Sequence, residues 1–202
     1  MLKIGLTGDV GAGKSTLCQV WKSMGAEIID ADTIARDMWK LPEVQKKAEK
    51  KWGKGFFNAE WKEVCAKIAA KIFSNEDDYD FASQLLHAAT AKEIKKRLRS
   101  ETGLVITEVP LLFENGGYKW CDGVVYAAAT LKKRAERNKS RGWNRKEVKR
   151  REAKLMPRKE KIARADWVLK NNGTIEEWES KARELGNVFI GLLRQKQQKK
   201  NH

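Results

Sequence analysis

Gly8-Asp9-Val10-Gly11-Ala12-Gly13-Lys14-Ser15 is the stretch whose reading decides the fold. It matches G-x-x-x-x-G-K-[ST] at Gly8, Gly13, Lys14 and Ser15, and a phosphate-holding loop needs each of those residue types. Glycines let the backbone turn so that successive N–H groups point inward at phosphate oxygens. Lys14 can reach the β- and γ-phosphates, and the Ser15 hydroxyl can ligate Mg²⁺. The run Gly8 to Thr16 is therefore the expected ATP-binding segment. Upstream, Leu2 to Thr7 reads as a short apolar strand; downstream, Leu17, Val20, Trp21 and Met24 share one helical face, and Gly25 is placed to end that helix. The following helix adds its N-terminal partial positive charge to the loop. The loop fixes ATP or GTP binding and leaves the reaction open, since neither a switch region nor a water-positioning residue is visible.

Four more strands are expected at Glu27–Asp30, Leu104–Thr107, Gly123–Ala127 and Trp167–Leu169. Separated by helical stretches, they imply crossover connections and a parallel sheet. The gap between the second and third strands is too long for one crossover. Its apolar stripes (Trp61, Val64, Cys65, Ile68, Ile72; then Phe81, Leu85, Ala88, Leu98) mark an inserted helical subdomain suited to a second substrate. Thr174-Ile175-Glu176-Glu177 is a capping-box start for a last helix that buries Trp178, Ala182, Leu185, Phe189 and Leu192. The fold class is thus α/β: a three-layer P-loop NTPase/kinase fold with a five-stranded parallel sheet, a helical acceptor-binding insertion and a basic lid. The expected divisions are a core at 1–35, 101–130 and 165–192, an acceptor domain at 36–100, a lid at 131–164 and a frayed basic tail at 193–202.

Composition narrows the class. With 202 residues, 41% hydrophobic and 34% charged, the chain can bury one sizeable core, and no apolar run approaches the ~18 residues of a membrane span. The first strand runs straight into the loop, leaving no room for a signal peptide. Cys18, Cys65 and Cys121 share no metal or redox spacing and have apolar neighbours, so three buried free thiols in a cytoplasmic chain are expected. The net charge is +15, and residues 131–164 alone hold sixteen basic and four acidic residues, a net +12. Such a block can bind nucleic acid, form a solvated arm or close over polyphosphate. Its place after the fourth strand favours the last.

Asp30-Ala31-Asp32 lies where the second strand ends, and ligands of open α/β sheets sit beyond the carboxyl ends of strands. A carboxylate there can accept the proton of an attacking hydroxyl, or Asp32 can N-cap the next helix; both roles can coexist. Glu108 ends the third strand, where it suits either a carboxylate near Mg²⁺ or a charge facing solvent. Glu114 reads as structural, holding the loop after Leu112. His87 reads as a satisfied, buried or half-buried histidine, and with two histidines in the chain a histidine metal site is not expected. Trp21, Trp61 and Trp178 lie on apolar helix faces as core; Trp143 packs a hinge or stacks on a base.

At this point the sequence resembles a known family. Ile4 to Thr16 followed by Asp30 to Arg36, then Val109-Pro110-Leu111-Leu112-Phe113-Glu114, then Ala165-Asp166-Trp167-Val168-Leu169-Lys170-Asn171-Asn172-Gly173-Thr174, are together similar to dephospho-coenzyme A kinases over residues 2–185. The resemblance implies transfer of the γ-phosphate of ATP to the ribose 3′-hydroxyl of dephospho-CoA, with Mg²⁺. It puts the catalytic base at Asp32 and the phosphate lysine at Lys14. Asn171 falls where the family contacts adenine. Asp32, Arg36, His87, Pro110, Leu111 and Leu112 fall beside the acceptor. Lid arginines would neutralise the moving phosphoryl charge, Arg137 and Arg141 being the candidates. The chain departs from the family where Leu131 and Leu155 stand for glutamines and Ala88 follows His87. A monomer or weak oligomer acting on ATP and dephospho-CoA, without a membrane or nucleic-acid partner, is expected. A nucleoside or nucleoside-monophosphate kinase shares the same loop and lid logic, and a nucleic-acid-stimulated NTPase would suit the charge.

Overall fold

The computed structural model describes residues 1–100, 102–139, 142, 144–146, 148 and 155–199. Arg141 and Trp143 lie outside them. Five strands, β1 (Leu2–Gly8), β2 (Glu27–Asp30), β3 (Leu104–Glu108), β4 (Gly123–Ala128) and β5 (Trp167–Lys170), form one sheet in the order β2-β3-β1-β4-β5. All pairings are parallel. The expected strands are therefore all present, each within a residue of its anticipated ends. β1 is central, hydrogen-bonded to β3 and β4, and its interior residues are buried, as a strand covered on both faces must be. Chain connections run from β1 toward β2 and β3 on one side and β4 and β5 on the other. The carboxyl end of β1 is thus a switch point where neighbouring loops diverge and a ligand crevice opens.

The chain divides into two compact units, Met1–Asp30 with Arg97–His202, and Ala31–Lys96. In the first unit, α1 (Lys14–Ser23) follows the glycine loop, α6 (Leu131–Arg137) follows β4, α7 (Arg158–Arg164) precedes β5, and α8 (Ile175–Gln198) closes the chain. α1 ends as its sequence predicts. Gly25 sits at φ 91°, and the Ala26 N–H reaches back to Trp21 O at 2.9 Å, satisfying a terminal carbonyl. α1 and α8 pack around Trp21, whose indole N–H donates to Ala182 O at 2.8 Å and whose ring meets Phe189 edge-on at 5.5 Å. At Gly186 α8 lies close to α1: a Cβ there would come within 2.7 Å of the end of the Met24 side chain and 3.0 Å of the Trp21 ring. The capping box of α8 is formed: Thr174 Oγ1 accepts from the Glu177 N–H, and Glu177 Oε2 from the Thr174 N–H, each at 3.3 Å. α8 continues to Gln198 where a frayed tail was expected. Glutamine and lysine are good helix formers, and Lys196 pairs with Asp122 at 2.6 Å.

The second unit holds α2 (Ala31–Met38), α3 (Pro42–Trp52), α4 (Trp61–Ser74) and most of α5 (Glu76–Ser100). Its core is Trp39, Val44, Ala48, Val64, Ile68 and Ala82, with Trp52, Phe56, Phe57 and Phe81 packed against it. Four expectations fail here. Trp61 is 38% exposed, because it opens α4 and the inward stripe begins one turn later at Val64. Cys65 is exposed, being rotated off the face that Val64 and Ile68 bury. His87 is exposed too, as is Ala88, so only part of the α5 stripe faces inward.

Trp52 does more than fill space. Its indole N–H donates to Asp78 Oδ1 at 2.8 Å, while the Asn75 amide donates to Oδ2 at 3.0 Å. The Trp52 bond leads the causes that hold the Asp78 carboxyl below its ordinary value, against a burial that would raise it. A carboxyl lowered by folding contributes stability that is complete above its unfolded pKa of about 3.9 and is lost as pH falls through the folded value. Trp52→Phe is therefore expected to melt at a lower temperature at neutral pH and to show a smaller loss of melting temperature on acidification. An acid dependence equal to that of the wild type contradicts this assignment.

Candidate active site

The glycine loop leaves β1 through three residues in the positive-φ region: Gly8 at 148°, Gly11 at 75° and Gly13 at 91°. At Gly8 a side chain would collide with the Ala127 carbonyl; at Gly13 a Cβ would sit 2.6 Å from Asn171 Nδ2 and 2.9 Å from Trp178 Nε1. Those two groups grip the loop from its outer side. Asn171 Nδ2 donates to Ala12 O at 2.8 Å, and Trp178 Nε1 donates to Gly13 O at 3.1 Å. Arg137 adds a longer contact to Gly11 O at 3.4 Å. In a planar trans peptide the C=O and the following N–H point in opposite directions. Holding the Ala12 and Gly13 carbonyls outward therefore turns the Gly13 and Lys14 N–H groups inward, at the start of α1. That is an anion nest, strengthened by the helix N-terminus. The Lys14 ammonium arches over the loop, 3.5 Å from Gly8 O and 3.4 Å from Asp9 O. Ser15 is exposed beside it.

Several expected site residues are engaged by the fold itself. The Asp9 N–H bonds Ala127 O at 2.9 Å and its carboxylate is buried, so Asp9 turns both groups inward rather than toward a ligand. Asn171 is 5% exposed, and its amide is taken by Ala12 O and by Arg137, which donates to Asn171 Oδ1 at 2.8 Å. It holds the loop where an adenine contact was expected. Burial pulls the Arg137 guanidinium below its ordinary pKa. Pro110 O accepts from Thr7 Oγ1 at 3.0 Å, and Leu111 is half-buried. Leu112, expected beside the acceptor, is instead 1% exposed and packs against Gly5 in the core. Asp32, Arg36 and His87 belong to the second unit, all exposed there. α2 begins at Ala31, so Asp32 lies in its first turn rather than capping it, and Arg36 donates to Thr33 Oγ1 at 3.0 Å.

The donor set suits Mg²⁺. Asp30 and Glu108 are register partners at the carboxyl ends of β2 and β3. Glu108 Oε2 accepts from Cys18 Sγ at 3.3 Å, and burial first, then Glu108 and Asp30, push the Cys18 thiol far up. Both carboxylates bear on Cys18, three residues along α1 from the exposed Ser15, and Mg²⁺ is held by one or two carboxylates plus phosphates rather than by a closed protein cage. No group of three or more His, Cys, Asp or Glu that could hold a metal ion occurs among the described residues.

Sequence reasoning found the loop and missed most of what holds it. Trp178 and Asn171 reach it across 165 and 159 residues of chain. The motif Ala165 to Thr174 now has a mechanical reading: Asp166 Oδ2 accepts from the Val124 N–H at 2.7 Å, Asn171 holds the loop, and Asn172 Oδ1 accepts from the Thr130 N–H at 2.9 Å. Glu114, expected to hold the loop after Leu112, ties instead to the region before β5: its Oε1 accepts from the Met156 N–H at 3.0 Å and pairs with buried Lys161 at 2.6 Å. Cys121 is half-buried, its thiol pushed up to about 12 chiefly by burial. No described helix is long and apolar enough to cross a membrane.

Comparison with known proteins places this geometry. The family model for dephospho-CoA kinase matches residues 2–177. A dephospho-CoA kinase of Aquifex aeolicus is 36% identical over 180 residues, covering 88% of this chain and 92% of that one. A crystal structure from Thermus thermophilus is similar at TM-score 0.70 and 32% identity, covering 95% of this chain and 97% of its own. The dephospho-CoA kinase of Campylobacter jejuni shares the fold at TM-score 0.66 and 20% identity, over 93% and 96% of the two chains. The chain belongs to the dephospho-CoA kinase family and is a kinase of the P-loop fold.

Proposed function

We propose that this chain transfers the γ-phosphoryl group of ATP to the ribose 3′-hydroxyl of dephospho-CoA. The observation that carries the reading is the nest: outward-held carbonyls at Ala12 and Gly13 turn N–H groups at Gly13 and Lys14 toward where phosphates would lie. The Gly13 and Lys14 N–H groups and the Lys14 ammonium bind the β- and γ-phosphates. Asp32, exposed in the first turn of α2, accepts the proton of the 3′-hydroxyl as that oxygen bonds to the γ-phosphorus. The bond from the γ-phosphorus to the bridging oxygen breaks, and ADP leaves. Arg137 offers positive charge beside the loop while keeping Asn171 in place. Ser15 and Glu108 would hold Mg²⁺, which when bound neutralises phosphate charge. Arg36 and His87, both exposed, and Pro110 and Leu111 are offered for acceptor binding.

The test is an acceptor panel: ADP formation from ATP and Mg²⁺, measured with dephospho-CoA, adenosine, AMP or RNA. ADP with dephospho-CoA alone is expected. Stimulation by adenosine or AMP would instead indicate a nucleoside or nucleotide kinase, and stimulation by RNA an NTPase whose nucleic-acid binding falls steeply with salt.

Gly13→Ala probes the nest. An alanine at φ 91° is strained by about 1–2 kcal/mol, and its Cβ displaces the two groups that hold the loop. ATP binding is expected to weaken about tenfold or more, as 1.4 kcal/mol is tenfold. Wild-type affinity by titration would mean the loop does not hold the phosphates as described.

A further inference from the structure

One loop side chain gathers more of the fold than phosphate binding requires. Asp9 is 3% exposed, and its carboxylate accepts from the Tyr126 hydroxyl and from the Ala129 N–H at 2.9 Å. Arg158 Nε lies 3.0 Å from one oxygen and 3.1 Å from the other, and Arg134 Nε lies 3.9 Å from Oδ2. A buried carboxylate is costly unless donors surround it. Here the donating cation, Arg158, comes from α7 and a second cation, Arg134, lies near the carboxylate from α6, the helices that border the most basic part of the sequence. Glu114 holds α7 as well, through the Met156 N–H just before it and the Lys161 ammonium within it. One carboxylate between two guanidinium groups leaves a net positive charge beside the nest.

We propose that Asp9 is a positioning residue, acting through Arg158, whose guanidinium it fixes beside the phosphate loop as a cation for the phosphates of ATP. The Arg158 side chain is 48% exposed, so it reaches in from the surface, and that of Asp9 is 1% exposed. Both bonds to Asp9 come from Nε, which sets the plane of a rigid five-donor fork. Arg158 was not among the arginines that the sequence singled out. The inference rests on the loop being the ATP site.

Charge and placement predict opposite signs for Asp9→Asn. Removing a negative charge beside the phosphates should by itself tighten ATP binding; releasing Arg158 should weaken it. We expect weakening. Arg158→Gln should raise the KM for ATP about tenfold, the scale of one charge-assisted contact, with the KM for dephospho-CoA near wild type. Asp9→Asn should raise it similarly, and the double variant should be no worse than either single one. The inference is overturned by an unchanged KM in Arg158→Gln, by tighter binding in Asp9→Asn, or by effects that multiply in the double variant. A lowered melting temperature with unchanged KM in Asp9→Asn would leave it a purely structural residue and equally overturn the proposal. If Asp9→Asn fails to fold, Arg158→Lys decides: it keeps the charge but loses the fork, so it should resemble Arg158→Gln, and wild-type KM would count against placement. Titration of the wild type with ATP separates the two levels. No binding would remove the ATP site itself, whereas binding that Arg158→Gln leaves intact would remove this inference alone.

Discussion

Asp32→Asn is expected to bind ATP as the wild type does and to lose about 10²- to 10⁴-fold in kcat, the range a positioned general base contributes. The side chain is isosteric and exposed in the first turn of α2, so the fold should tolerate the change. An amide cannot take the hydroxyl proton, and the loss should fall on kcat rather than on either KM. Steady-state kinetics with both substrates varied checks it. Turnover within a few-fold of wild type would remove Asp32 from the chemistry and leave its carboxylate a role in the helix alone.

Lys14→Ala removes an ammonium that arches over the loop, held 3.4–3.5 Å from the Gly8 and Asp9 carbonyls. Its charge is expected to follow the γ-phosphoryl group toward the acceptor, so it stabilises the transition state more than bound ATP. Removing it should cost about 10²–10³-fold in kcat, the scale of losing one preorganised donor. The KM for ATP should rise less. A variant that lost only ATP affinity would show Lys14 acting as a uniform binding contact.

What was legible in the sequence is what short-range rules write. Leu2 to Gly25 carries a strand, three glycines for positive φ and a helix with its glycine stop, all within one window. Thr174 to Glu177 carries its capping box in four residues. The five strands could be read because apolar runs bounded by turns are local too. The loop's outer supports could not be read. The Tyr126 hydroxyl, Arg158 and Trp178 meet Asp9 and Gly13 only after the sheet has formed, across 117, 149 and 165 residues. Asp9 itself was expected within the ATP-binding segment, yet it is one of the most buried charged groups among the described residues. Periodicity misled where a helix is packed on one narrow face. Cys65 lies one residue from buried Val64 and faces outward, and His87 sits on a turn of α5 that the core does not cover. Leu112 failed the other way: a motif placed it beside a ligand, and packing against Gly5 took it into the core.

The measurement that tests the central claim most directly follows the phosphorus. ATP labelled in its γ-phosphate is incubated with Mg²⁺, dephospho-CoA and the protein, and the label is located by chromatography and mass. The account predicts label in the 3′-phosphate of CoA, in equal amount to ADP formed. Label released as inorganic phosphate, or carried by any acceptor other than dephospho-CoA, would contradict it.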